Sequence, residues 1–250
     1  MKNTNFEIKV FDDELGLANE VVRQLYVGAS ENHKKGDVFN IALCGGETPK
    51  FLYKHFNDFR AEESIPWKTI HLFWGDERCV PPDHTDSNYL LAKELFIESL
   101  SLPKENIHRI RGEHDAGQEA KRYEKEICSY LQSENSQIPQ FDWVFLGLGE
   151  DGHTASLFPG QDLDKGGSSF CKATKHPDSG QKRISLTLLI LNNAKKVSFI
   201  CTGKKKAKIV SKILDGHSDT KNFPAKQVRP EKGTLQWLLD KEAASELIES

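Results

Sequence analysis

Short apolar runs alternate with amphipathic stretches along this chain. Residues 6–10 read as a strand. After Asp12, Leu15, Ala18, Val22, Leu25 and Ala29 recur at steps of three and four, which predicts a helix that Gly36 ends. Residues 38–44 (VFNIALC) form a nearly unbroken apolar run, as in a strand buried on both faces. Thr48 and Pro49 then open a second helix, with Thr as N-cap and Pro at the first helical position. Strands are predicted at 69–74 and 141–147, and helices at 87–100 and 115–131, the latter turning Ala116, Ala120, Tyr123 and Ile127 inward. Further on, 183–188 and 196–202 read as strands and 205–214 and 234–247 as helices. Residues 159–182 are rich in Gly, Ser, Asp and Lys and read as a long surface loop, with at most one short strand near 170–173. Strands alternating with helices imply right-handed crossovers, hence an α/β fold with a mostly parallel sheet flanked by helices on both faces.

Lys plus Arg total 34 and Asp plus Glu 37, a net charge of −3, which argues against a nucleic-acid coat or a basic membrane-surface protein. No apolar run reaches the roughly 18 residues of a membrane span, and residues 1–14 lack the apolar centre of a signal peptide. The five cysteines are widely spaced, odd in number and form no CxxC pair, so reduced, buried thiols in a cytoplasmic protein are expected.

In open parallel sheets, ligands bind beyond the carboxyl ends of the strands. Three loops at such ends stand out. In Cys44-Gly45-Gly46-Glu47-Thr48-Pro49, two glycines let the backbone approach a ligand and the next helix offers free N–H groups, which suits a phosphate as well as it suits a plain capped turn. In the stretch after 141–147, Gly147, Gly149 and Gly152 spell GxGxxG. However, no helix opens on the third glycine, and Phe170-Cys171-Lys172 stand where an acidic residue is wanted, so a nicotinamide site is not expected. This loop carries Asp151 and His153 instead: an imidazole suited to take and return a proton, with a carboxylate two residues away to orient it. In Trp74-Gly75-Asp76-Glu77-Arg78, Arg78 can hold an anionic or polar substrate group or join an internal salt-bridge network. Asp151 and His153 lack third and fourth partners, so no metal site is expected. His33, His55, His108, His114, His176 and His217 read as surface residues. The run Lys204 to Lys206 reads as a solvated helix start, from which one lysine can point into the cleft.

The blocks CGGETP, FWGDERCVPPDHTDSNY, FLGLGEDGHTASLFPG, RISLTLLILNNAKKVSFICTGKKKA and FPAKQVRPEKGTLQWLLD fall in order from about residue 41 to 240. Together they closely resemble the 6-phosphogluconolactonases of the glucosamine-6-phosphate isomerase/6-phosphogluconolactonase family. The resemblance implies a single domain over 1–250, an α/β sheet with the site at strand ends, and hydrolysis of a sugar-phosphate lactone, 6-phospho-D-glucono-1,5-lactone, in the oxidative pentose phosphate pathway. It implies no metal or organic cofactor. It further implies His153 as general base, Asp151 orienting it and Arg78 stabilising carbonyl charge or holding hydroxyls. Gly45, Gly46 and Thr48 would then seat the phosphate with Arg183 and Lys206, and Asp76 and Asn88 would contact the sugar. The competing deaminase branch carries a segment of the type IAFNEP after its DGH. Here Thr154-Ala155-Ser156-Leu157-Phe158-Pro159 follow, without a carboxylate, and a lactone needs no ring-opening machinery.

Overall fold

The computed structural model describes residues 5–58, 65–100, 102–131, 138–163, 167–216, 220 and 222–247. Its strands are β1 (Asn5–Phe11), β2 (Phe39–Leu43), β3 (Ile70–Trp74), β4 (Asp76–Arg78), β5 (Ile107–His108), β6 (Trp143–Leu146), β7 (Cys171–Lys175), β8 (Lys182–Leu186), β9 (Lys196–Cys201) and β10 (Thr234–Asp240). Its helices are α1 (Glu14–Lys34), α2 (Thr48–Asp58), α3 (Asn88–Ala92), α4 (Ala116–Leu131), α5 (Leu188–Leu191), α6 (Ala207–Leu214) and α7 (Pro224–Gln227).

Seven strands form the main sheet in the order β1-β10-β9-β6-β2-β3-β5, and each pairing within it is parallel. The expected α/β sheet is therefore present. Strands β2 and β6 are buried at every position, as layers of helix on both faces require. Helix α1 starts one residue after its cap, Asp13, whose side chain accepts from Gly16 N at 2.8 Å. Ala18, Val22, Leu25 and Ala29 are buried as expected. Leu15 is not: it lies in the first turn and is 56% exposed, and Leu17 and Val21 complete the inward face instead. The helix expected over 87–100 is α3 followed by a wider π-helical turn at Lys93–Ile97, which sets Phe96 against Tyr53, Phe56 and Trp67.

Two expectations fail for physical reasons. The helix expected over 234–247 is strand β10 followed by turns. Leu235, Leu238, Leu239, Ala243 and Leu247 satisfy helical spacing, so periodicity alone points the wrong way. The strand prevails because β10 lies between β1 and β9, where its residues beyond Thr234 are buried, and Trp237 stacks on Phe199 with ring centroids 4.2 Å apart. The second failure is His108, which is buried rather than exposed. Its Nδ1 bonds Glu126 and its Nε2 bonds His71 Nδ1, each at 2.9 Å, and its ring stacks on Phe73. His217 lies outside the described residues.

A second, three-stranded antiparallel sheet, β4-β8-β7, is absent from the sequence pattern. Strand β4 is only Asp-Glu-Arg, with no apolar run to mark it. It forms because its backbone pairs with β8, matching Asp76 to Ser185, Glu77 to Ile184 and Arg78 to Arg183. Strand β7 extends the short strand expected near 170–173, and the Glu124 carboxylate of α4 anchors its start by accepting from Phe170 N and Cys171 N. Cys44, Cys171 and Cys201 are buried free thiols, and burial pushes Cys44 and Cys201 up to about 12.

Lys196 on β9 supplies a stability prediction. Its ammonium sits 3.9 Å from the Trp143 ring centroid and donates to Gln24 Oε1. Burial, reinforced by Lys9, lowers its pKa to about 8 from 10.5. Between those values the unfolded chain binds the proton and the folded chain does not, so folding stability should rise with pH across that window. Lys196→Met should remove the rise. Denaturant titrations at pH 7.5 and 9.5 should show wild type gaining about 2 kcal/mol relative to the variant; parallel curves would refute it.

Candidate active site

The carboxyl ends of β2, β3 and β6 meet the second sheet around one cleft of about 240 Å³. Beyond β2, Tyr53 Oη holds the turn down by donating to the Cys44 carbonyl at 2.6 Å. Gly45 and Gly46 follow, and α2 begins at Thr48, one residue earlier than expected. Gly45 is required by a close approach: a Cβ there would fall 1.7 Å from Asn88 Oδ1. All three residues line the cleft, as do Asp76, Arg78 and Asn88 from the β3–β4–α3 segment.

Asp76 is buried and bound on both sides. Its Oδ2 accepts from Ser156 Oγ at 2.6 Å and its Oδ1 accepts from Asn88 Nδ2 at 3.3 Å. Arg78 donates through Nη1 to the Asp86 carbonyl at 2.7 Å. Arg183 stands opposite it on β8, donating to Ser156 Oγ and Gln181 Oε1 and lying over the Phe158 ring. The Nε atoms of both arginines are buried without a partner. Burial, and then the nearby Arg78 charge, lowers the pKa of Arg183. Two cations side by side with unused donors form an electropositive wall that suits an anion.

The loop after β6 supplies the imidazole. His153 lines the cleft, and its Nδ1 is 2.6 Å from Asp151 Oδ1, which also accepts from His153 N. Burial raises the pKa of Asp151, but these hydrogen bonds outweigh it and leave the carboxyl below its ordinary value. With Nδ1 committed to the carboxylate, Nε2 is the nitrogen left to accept a proton. Gly149 makes room for this pair: a Cβ there would lie 2.1 Å from His153 Nδ1. Ala155, which also lines the cleft, has φ +48°, a strained value for a residue with a side chain. Phe158 packs beneath His153 at 4.8 Å between centroids.

Lys206, at the end of a short 3-10 turn after β9, is half-buried and lines the cleft, whereas Lys204 and Lys205 are exposed. Of the residues singled out in the sequence, only Asp151 does not line the cleft; it stands behind His153. Among the described residues, no three His, Cys, Asp or Glu side chains converge as a ligand set, and no helix is long and apolar enough to cross a membrane.

The model of the glucosamine-6-phosphate isomerase/6-phosphogluconolactonase family matches residues 12–237. The chain belongs to this family. It is 37% identical over 225 residues to a Haemophilus influenzae protein named 6-phosphogluconolactonase, covering 90% of this chain and 93% of that one. Among solved structures, one titled as devB protein superposes with a TM-score of 0.90 at 36% identity, covering 97% of this chain and all of the other. The 6-phosphogluconolactonase of Trypanosoma brucei superposes with a TM-score of 0.86 at 29% identity, covering 98% of this chain and 100% of that one.

Within this family fold, sequence reasoning misses two residues that build the site. Ser156 is fully buried and ties the His153 loop to Asp76, and nothing in its sequence context marks it. Glu77 is also buried. Strand alternation over 76–78 is the signal that would have separated it from its neighbours, since Asp76 and Arg78 share one face and Glu77 takes the other. The salt-bridge network entertained for Arg78 is not what braces the loop; the Glu77 carboxylate does so through backbone N–H groups.

Proposed function

We propose that this chain is a single-domain cytoplasmic enzyme that hydrolyses 6-phospho-D-glucono-1,5-lactone to 6-phospho-D-gluconate, the second step of the oxidative pentose phosphate pathway. The observation that carries this reading is His153, backed by Asp151, standing in the same cleft as Arg78, Arg183 and Lys206. It combines a proton acceptor with a cationic seat for a phosphorylated, electrophilic substrate.

In this mechanism His153 Nε2 removes a proton from a water as the water oxygen attacks the lactone carbonyl carbon C1. Arg78 faces the oxygen on which negative charge develops. The imidazolium, held by Asp151, then returns its proton to the ring oxygen as the C1–O bond breaks, which yields the free acid and the C5 hydroxyl. The phosphate rests on the backbone amides of Gly45, Gly46 and Thr48, with Arg183 and Lys206 as cations. Asp76 and Asn88 hold sugar hydroxyls. No step calls for a metal or an organic cofactor.

The absence of a carboxylate from Thr154 to Pro159 favours the lactonase branch over the deaminase branch. The deciding experiment compares hydrolysis of freshly generated 6-phosphogluconolactone with ammonia release from glucosamine 6-phosphate. Rapid lactone hydrolysis and no ammonia are expected. Ammonia release without lactone hydrolysis would assign the chain to the other branch.

A further inference from the structure

Glu77 is 2% exposed, and among the described residues it forms no ion pair. Its carboxylate instead gathers four uncharged donors. Oε1 accepts from Arg78 N at 2.8 Å and Asn88 N at 2.7 Å, and Oε2 accepts from Tyr89 N at 2.8 Å and Ser87 Oγ at 2.9 Å. Burial raises its pKa, and these hydrogen bonds pull it partly back. A carboxylate kept buried without a cation is costly, so its place in the fold calls for an explanation.

The hydrogen bonds supply one. Glu77 holds the backbone of Arg78 directly. The Arg78 guanidinium donates to the Asp86 carbonyl, and the next residue, Ser87, donates back to Glu77. The contacts close a ring that grips Arg78 at its backbone and at its tip. Asn88 N and Tyr89 N fasten the same ring to the start of α3. The strand turns Glu77 away from the cleft that Arg78 lines, so Glu77 reaches the substrate through Arg78; Asn88, whose backbone it also holds, has its side chain fixed separately by Asp76.

We propose that Glu77 is a positioning residue that acts on the reaction by fixing the Arg78 guanidinium against the substrate. The proposal rests on the lactonase reading of the cleft. Glutamine is nearly isosteric, yet its amide would point N–H groups at donors that need an acceptor. A displacement of about 1 Å at a reacting centre costs up to about 100-fold. Glu77→Gln should therefore lower kcat/KM for the lactone about 10- to 100-fold in a protein that still melts cooperatively.

The test is a pair of double-mutant cycles. In an Arg78→Ala background, Glu77→Gln should cost less than about 3-fold, because the group it positions is gone. In a Lys206→Ala background it should cost its full factor. A merely structural glutamate would reduce both backgrounds equally, and that result overturns the proposal, as does wild-type kcat/KM in folded Glu77→Gln. If Glu77→Gln does not fold, Ser87→Ala opens the ring at one bond and also gives up the cap that Ser87 Oγ provides to Leu90 N of α3. It should lower kcat/KM by about 3-fold with the same dependence on Arg78; no loss, or an equal loss in both backgrounds, again overturns the proposal. Wild-type lactone hydrolysis in the same assay checks the underlying reading separately: without it the lactonase assignment falls, whatever the cycles show.

Discussion

His153→Ala should lose about 10²–10⁴-fold in kcat, the usual consequence of removing a general base, while the protein stays folded. The expectation rests on geometry. Asp151 engages Nδ1 at 2.6 Å, which leaves Nε2 as the acceptor, and the ring stands in the cleft over Phe158. The side chain is 27% exposed, so its loss empties part of the cleft mouth rather than the core, and melting temperature should change little. Asp151→Asn is the informative companion. It removes the charge that fixes the ring but keeps an oxygen able to accept from Nδ1, so its loss should be smaller than that of His153→Ala. Near-wild-type turnover in folded His153→Ala would remove the histidine from the mechanism. An Asp151→Asn defect exceeding that of His153→Ala would make the carboxylate, not the imidazole, the reacting group.

Lys206→Ala should reduce kcat/KM for the phosphorylated lactone about 10- to 150-fold, since a hydrogen bond to a charged group contributes roughly 1.5–3 kcal/mol. The same change should scarcely affect hydrolysis of unphosphorylated gluconolactone, which lacks the group proposed for Lys206 to hold. The fold supplies two internal controls. Lys204 and Lys205 precede Lys206 on the same short turn but are exposed, and only Lys206 reaches the cleft. Alanine at either control should leave both substrates near their wild-type rates. Equal losses on both substrates in Lys206→Ala would mean that the lysine serves the loop, and that Arg183 and the Gly45–Gly46 turn seat the phosphate without it.

Much of this site is legible in the sequence because loops at the ends of parallel strands carry their chemistry in short runs. The Gly45–Gly46 turn, Arg78 and the Asp151–His153 pair each follow a strong apolar strand, and the parallel topology brings those strand ends together. Arg183 is harder, since it lies on a strand whose sheet the pattern does not reveal. The structure places it opposite Arg78 because three charged residues, with no apolar signature of their own, pair with β8 through the backbone. Ser156 and Glu77 are harder still. Each is a polar residue buried for the sake of its hydrogen-bond partners: the partnership of Ser156 with Asp76 across about 80 residues leaves no local trace, and the alternation that would set Glu77 apart belongs to a strand with no apolar run to mark it. Strand β10 shows the opposite failure, in which a clear local signal misleads. Its apolar positions fit a helix, and only its place between two strands decides otherwise.

The position of β10 also dictates the order in which this sheet can be completed during synthesis. Strand β1 is made before every other strand described here, yet its one neighbour in the sheet is β10, made after all of them. At about 5–20 residues per second, the interval between the two is on the order of 10–45 s. For that time Phe6, Ile8 and Val10 belong to a strand without a partner, while β2, β3 and β6 are free to pair as soon as each leaves the ribosome. A ribosome stalled between residues 206 and 234 therefore holds a chain with all of its cleft-lining loops synthesised and its outermost strand still adrift, a form open to proteases and to mispairing with other nascent chains.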